Sequence, residues 1–148
     1  MSTRSDFYVM DHDGSLEWEG SAYKDGGPYT TPLKLLIQGD KIMFQETLLD
    51  YLREVGGEIK YEGGHWPWPW RDSRFTDYSY IFHVCTGKVL MCVGDSRLVD
   101  PIKVIQGMDL IGADVGIGNV IFPVMRDTID KETEEMIKRY GLQPTKAV

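Results

Sequence analysis

Trp66, Trp68 and Trp70 alternate with Pro67 and Pro69 and run almost directly into Asp72, Ser73, Arg74, Thr76 and Asp77. Flat indole faces beside carboxylates, hydroxyls and a guanidinium have the chemistry of capture. A base can stack on a ring, carboxylates can take sugar hydroxyls, and Arg71 or Arg74 can meet a phosphate. The same mixture suits an interface anchor between proteins. Each proline restricts itself and its predecessor to extended backbone, so "WPWPW" is expected to be stiff and polyproline-like. At about three residues per turn the three indoles cannot all point one way. Either all three seal the end of a sheet, or one or two anchor in the core while another stays available to a ligand. The polar rim favours the second reading.

Other stretches invite a catalytic reading and do not sustain it. "VGDSR" at 93–97 resembles a serine-hydrolase block, but Ser96 has no later histidine to activate it, since the last of the three histidines is His83. "GADVGIGN" at 112–119 lacks the Lys-Ser/Thr of a phosphate-binding loop, and its glycines read as positive-φ backbone. "DHD" at 11–13 sits on a turn where neighbouring side chains rarely converge on a metal. His65 and His83 are the imidazoles that could act with Asp72 or Asp77 as a general acid–base pair, although a hydrogen-bonded structural role is the commoner fate. No catalytic residue, metal ligand or cofactor is therefore expected.

The elements that must position these residues follow from hydrophobic period and turn chemistry. "SDFYVM" (5–10) and "SLEWE" (15–19) flank the turn cluster "DHDG" and predict a hairpin. A long Gly/Pro/Ser/Thr loop covers 20–32, and "LKLLIQ" reads as a short strand. Phe44, Leu48, Leu52 and Val55 recur at helical steps between Asp40 and Gly56, which predicts a capped helix with its stripe on the sheet. Residues 77–84 and 88–93 predict a second hairpin. A two-residue Thr86–Gly87 turn would set Phe82 opposite Met91, Val84 opposite Val89 and Tyr80 opposite Val93. Its other face, with Ser79, Ile81, His83, Leu90 and Cys92, would be half open. The stretch 94–119 reads as irregular apart from a turn of helix or short strand at 102–105. "VIFPVM" reads as an edge strand because Pro123 cannot donate, and 127–140 as a helix with acidic residues early and basic residues late. The whole is a single α+β domain over 1–148, mainly an antiparallel sheet with two helices.

Bulk properties narrow the partners. A formal charge of −7 with 16 scattered basic residues excludes a nucleic-acid duplex or an anionic membrane as the main partner. The absence of a leader-like or spanning apolar stretch predicts a cytoplasmic protein, in which Cys85 and Cys92 are unpaired, small buried residues.

"DFYV" (6–9), "EWEGS" (17–21), "DGGP" (25–28), "HWPWPWRDSRFTDYSYIF" (65–82) and "GKV" (87–89) resemble the blocks of a family of small tailed-bacteriophage proteins. That family carries a Trp-Pro-Trp-Pro-Trp-x-Asp-Ser-x-x-Thr-Asp-Tyr block, and "DGGP" stands where it has Asp-Gly-Tyr-Pro. The resemblance covers roughly residues 6–90. It implies a phage gene product working in the bacterial host cytoplasm, of the kind that blunts host defence by sequestering a nucleotide signal or occupying a host enzyme, or that joins the virion. As a site it implies Glu17, Trp18, Asp25, Trp66, Trp68, Trp70, Asp72, Thr76, Asp77 and Tyr78, to which the residues themselves add Arg74. The expected function is non-catalytic sequestration of a nucleotide-like small molecule. The alternatives are a protein-interaction module for a host or phage protein, and a small nucleotide- or glycan-acting enzyme. Pockets of this kind form between subunits as well as within them, which leaves a homo-oligomer open.

Overall fold

The computed structural model describes residues 3–92 and 97–125, together with 139. It is an α+β fold around a seven-stranded sheet of order β3-β2-β1-β4-β5-β6-β7. β1 (Ser5–Met10) turns through Asp11–Gly14 into antiparallel β2 (Leu16–Ala22), with Gly14 at φ 83° closing the turn. β1 also pairs with β4 (Tyr78–His83), in parallel and in register from Ser5–Tyr78 to Met10–His83. A parallel neighbour needs a long crossover. Residues 23–77 supply it, carrying α1 (Leu33–Leu36), α2 (Lys41–Val55), the short edge strand β3 (Glu58–Ile59) and the tryptophan run. β5 (Lys88–Cys92), β6 (Arg97–Val99), the short helix α3 (Pro101–Ile105) and β7 (Asp114–Asn119) complete the sheet on the other side.

α2 forms where its period and caps require. Asp40 accepts the Met43 amide at 3.0 Å, and Gly56 ends the helix in left-handed conformation at φ 72°. Phe44, Leu48 and Leu52 are buried, with Val55 packed beside them, against Phe7, Val9, Tyr80, Phe82, Val89 and Met91 on one face of the sheet. The opposite face, expected to be half open, is closed instead. Tyr8, Trp18, Ile81, Leu90 and Cys92 pack there under Leu98, Val120 and Phe122. Strands buried on both sides carry few polar positions, which is why β1 is buried along its whole length.

Several local expectations are corrected. "LKLL" is helix, not strand: Pro32 suits a helix start, and Leu35 and Leu36 turn inward while Leu33 and Ile37 stay exposed. The β4–β5 turn has four residues, Val84–Gly87, with the Gly87 amide donating to the His83 carbonyl at 2.8 Å. Phe82 therefore faces Val89 and Tyr80 faces Met91; the shift of two keeps every side chain on its expected face. Residues 120–125 make no strand. They cross the second face, where Val120 and Phe122 are buried, and the expected irregular stretch 114–119 is the edge strand β7. Cys92 is buried but Cys85 is exposed on its turn, with Sγ 3.4 Å from His12 Nδ1. The helix expected over 127–140 lies, apart from Arg139, outside the described residues, as do Gly94, Asp95 and Ser96.

Candidate functional site

The two sequence blocks before residue 30 and after residue 64 converge, and what they converge on is the buried carboxylate of Asp6. Oδ1 accepts from Trp68 Nε1 and from Ser21 Oγ, each at 2.6 Å, and Oδ2 accepts from Ser73 Oγ at 2.6 Å. Ser73 Oγ in turn accepts from the Tyr8 hydroxyl at 2.6 Å, and Ser21 Oγ accepts from Trp18 Nε1 at 3.0 Å. Burial pushes the Asp6 carboxyl above its usual range, against the opposing pull of hydrogen bonds from Ser21, Ser73, Thr76 and Trp68. The Tyr8 hydroxyl is driven up as well, by burial first and by the nearby Asp6 second.

This network decides where the tryptophans go. Trp68 and Trp70 are buried and stack on each other, ring centroids 5.5 Å apart. The Trp70 indole donates to Thr76 Oγ1 at 3.0 Å, and the Arg4 guanidinium lies 4.7 Å from the Trp70 ring centroid while pairing with Asp77. Tyr23 stands edge-on against Trp68. Trp66, half-buried, donates to the Trp70 carbonyl at 2.6 Å and meets Trp18 edge-on.

The remaining expected residues serve similar ends. Asp72 is buried, caps the 3-10 turn Ser73–Phe75 through the Arg74 amide, and pairs with the Arg74 side chain. Tyr78 stacks on Tyr80. Glu17 is exposed and forms an ion pair with Lys60; Asp25 sits on the exposed loop at φ 55°, in the left-handed region. The run and its rim thus use their donors, acceptors and ring faces on each other. The catalytic alternative, in which His83 would act with Asp77, does not fit the geometry. Six strand residues put His83 about 20 Å from Asp77, and its Nδ1 accepts the Thr86 amide at 3.2 Å. Burial also lowers its basicity.

Comparisons with family models, with curated proteins and with solved structures found no match.

A concave feature lies elsewhere, and sequence reasoning missed it. A cleft of about 390 Å³ opens between α2 and the β2–β3 edge, with Leu48, Leu49, Leu52 and Ile59 as its apolar lining and Glu19, Gln45, Glu46 and Tyr61 as its polar one. β2 carries a β-bulge beside this cleft. Phe7 pairs with Gly20 and Tyr8 with Trp18, so Glu19 is the extra residue of β2. Gly20 must be glycine there, because a Cβ would stand 2.5 Å from the Leu52 methyl and from the Glu58 carbonyl oxygen.

Glu19 is 3% exposed. Gln45 Nε2 donates to its Oε1 at 2.5 Å, whereas Oε2 is buried without a hydrogen-bond partner. The Tyr61 hydroxyl lies beside this carboxylate and its ionisation is pushed up, by burial first and by Glu19 second, without closing onto Oε2 in hydrogen-bond geometry. Burial raises the Glu19 carboxyl above its usual range. A buried acceptor left in this state costs about 1–3 kcal/mol and calls for an explanation. The available signal was the strand pattern itself: in "LEWEG" the alternation points Glu17 and Glu19 to the face that α2 covers.

Proposed function

We propose that this chain is a small-molecule binding protein whose seat is the cleft between α2 and the β2–β3 edge. The observation that carries the reading is Glu19, a buried carboxylate on the α2 face of β2 that lines an apolar cleft with one oxygen unmatched by any described donor. Clefts of a few hundred Å³ with a mostly apolar lining and a few convergent polar groups are the usual form of a ligand site. Stacking a nucleotide on Trp68 or Trp70 would require those indoles to leave Asp6, Thr76 and each other. The proposal therefore keeps the binding role that the sequence suggests and moves its seat. The phage-like blocks support a sequestering role in a host cytoplasm. Among the described residues, no helix is long and apolar enough to cross a membrane.

Native mass spectrometry of the protein purified from cells, and again after incubation with cell extract, tests this. The expected result is a bound small mass that is released intact on denaturation and is absent from Leu49→Trp, which fills the cleft from the helix surface. Retention of the same mass by a folded Leu49→Trp variant places the site elsewhere.

A second reading has its own observation. Leu33, Ile37, Ile42 and Met43 are exposed around the α1–α2 junction, and Tyr29 beside them donates to the Val104 carbonyl of α3. Such a grouping suits a protein partner. A polypeptide that co-purifies, and is lost on Ile37→Lys with Ile42→Lys, moves the function to that surface.

A further inference from the structure

The polar groups of the cleft are unequal in kind, and that inequality selects a ligand. Glu19 offers a carboxylate oxygen without a donor, and Gln45 has turned its amide N–H onto the other oxygen, leaving its carbonyl as a further acceptor. Glu46 lines the same cleft, and Glu17 lies near enough to Glu19 to raise it further. Of the cations near this edge, Lys60 is engaged by Glu17, its ammonium over the Tyr61 ring 5.5 Å from the centroid, and Arg53 is engaged by Glu62. An anionic group is repelled here and a cationic one attracted. The lining offered to the rest of a ligand is aliphatic, from Leu48, Leu49, Leu52 and Ile59.

The form of the cation follows from the hydrogen bonds. A guanidinium binds a carboxylate best through both oxygens as a fork, and here it would have to share Oε1 with the Gln45 amide, which makes it the poorer match. A quaternary ammonium has no N–H to give. A divalent metal asks for several ligands, and among the described residues no three His, Cys, Asp or Glu side chains gather closely enough to hold one. A protonated primary amine is a compact point donor, matched to a single free carboxylate oxygen, with further N–H groups for the Gln45 carbonyl.

We propose that the cleft binds a primary ammonium group carried on a small apolar body, aromatic or short alkyl, with Glu19 as its counter-ion. The proposal rests on the cleft being the binding seat and adds the ligand class.

Four probes of similar shape test it on the full chain: phenethylamine, its trimethylated derivative, phenethyl alcohol and hydrocinnamate. Binding is followed by calorimetry and by methyl NMR of Leu48, Leu49, Leu52 and Ile59. Phenethylamine is expected to shift these methyls and to bind on the order of tenfold or more tighter than the alcohol, the trimethylated amine or the acid. Glu19→Gln keeps the side-chain shape and is expected to bring the amine to the level of the alcohol. Should that variant melt early, Leu49→Trp replaces it and must cancel amine binding. Equal affinity for amine and alcohol, or undiminished amine affinity in folded Glu19→Gln, overturns the ligand class while leaving the seat in place. If no probe of any charge moves the cleft methyls, the seat and the ligand class fall together.

Discussion

At the scale of single residues, Asp6 explains more of the chain than any other position. A carboxylate with this burial needs donors, and the sequence supplies them from far away: Ser21 in the next strand, Trp68 and Ser73 more than sixty positions on. Trp68→Phe keeps most of the ring and removes one donor, so it is expected to destabilise the fold by about 2 kcal/mol in urea unfolding and to leave binding at the cleft unchanged. A loss of ligand binding at full stability would instead return the Trp run to the functional site. Asp6 also sets a pH dependence. Its folded-state value is raised above 3.8, so the folded chain holds this proton to higher pH than the unfolded chain does. The stability this adds is complete below the unfolded value and is lost as pH rises through the folded one. Asp6→Asn is expected to remove that component, seen as a smaller fall in unfolding free energy from acid toward neutral pH than in the parent. An identical pH profile in parent and variant would show that the carboxyl titrates alike in both states.

At the scale of elements, β2 carries the information that matters. It brings Glu19 and Gly20 together to the α2 face, one to provide a carboxylate and the other to make room for Leu52. Gly20→Ala would push a methyl to 2.5 Å from the Glu58 carbonyl oxygen of β3, a backbone atom that cannot swing aside. The expected cost is about 2 kcal/mol or more, with β3 loosened from β2. Faster amide exchange at Ser21 and Ile59 than in the parent would report it, and unchanged exchange at full stability would contradict the packing described. α2 was legible beforehand because its determinants are local: a cap, a stripe at steps of three and four, and a glycine stop. α1 was not, because the four residues "LKLL" are too few to show a period, and burial of Leu35 and Leu36 chose helix over strand.

At the scale of the whole molecule, the sheet is covered on both sides, and that fact reorganises what the sequence suggests about function. Alternation in β4 and β5 correctly sorted Phe82, Tyr80, Val89 and Met91 from Ile81, Leu90 and Cys92, because alternation is a property of the strand alone. It could not show that Val120 and Phe122 return over the second face, since no local rule says which distant segment covers a strand. The same limit applies to the tryptophan run. Its composition marked residues 65–78 as unusual, and the blocks around 6–9 and 17–21 as their companions, and these segments do meet in space. Composition cannot say whether a carboxylate waits beneath the rings. By itself the sequence determined the α+β class, the two hairpins, the capped helix α2 and the company the tryptophans keep, all of which depend on period, caps and turn residues within a short reach. Only the tertiary structure decided that those tryptophans face inward and that Glu19 lines a cleft, because burial and the matching of donors to acceptors are set by residues brought together from separate segments of the chain.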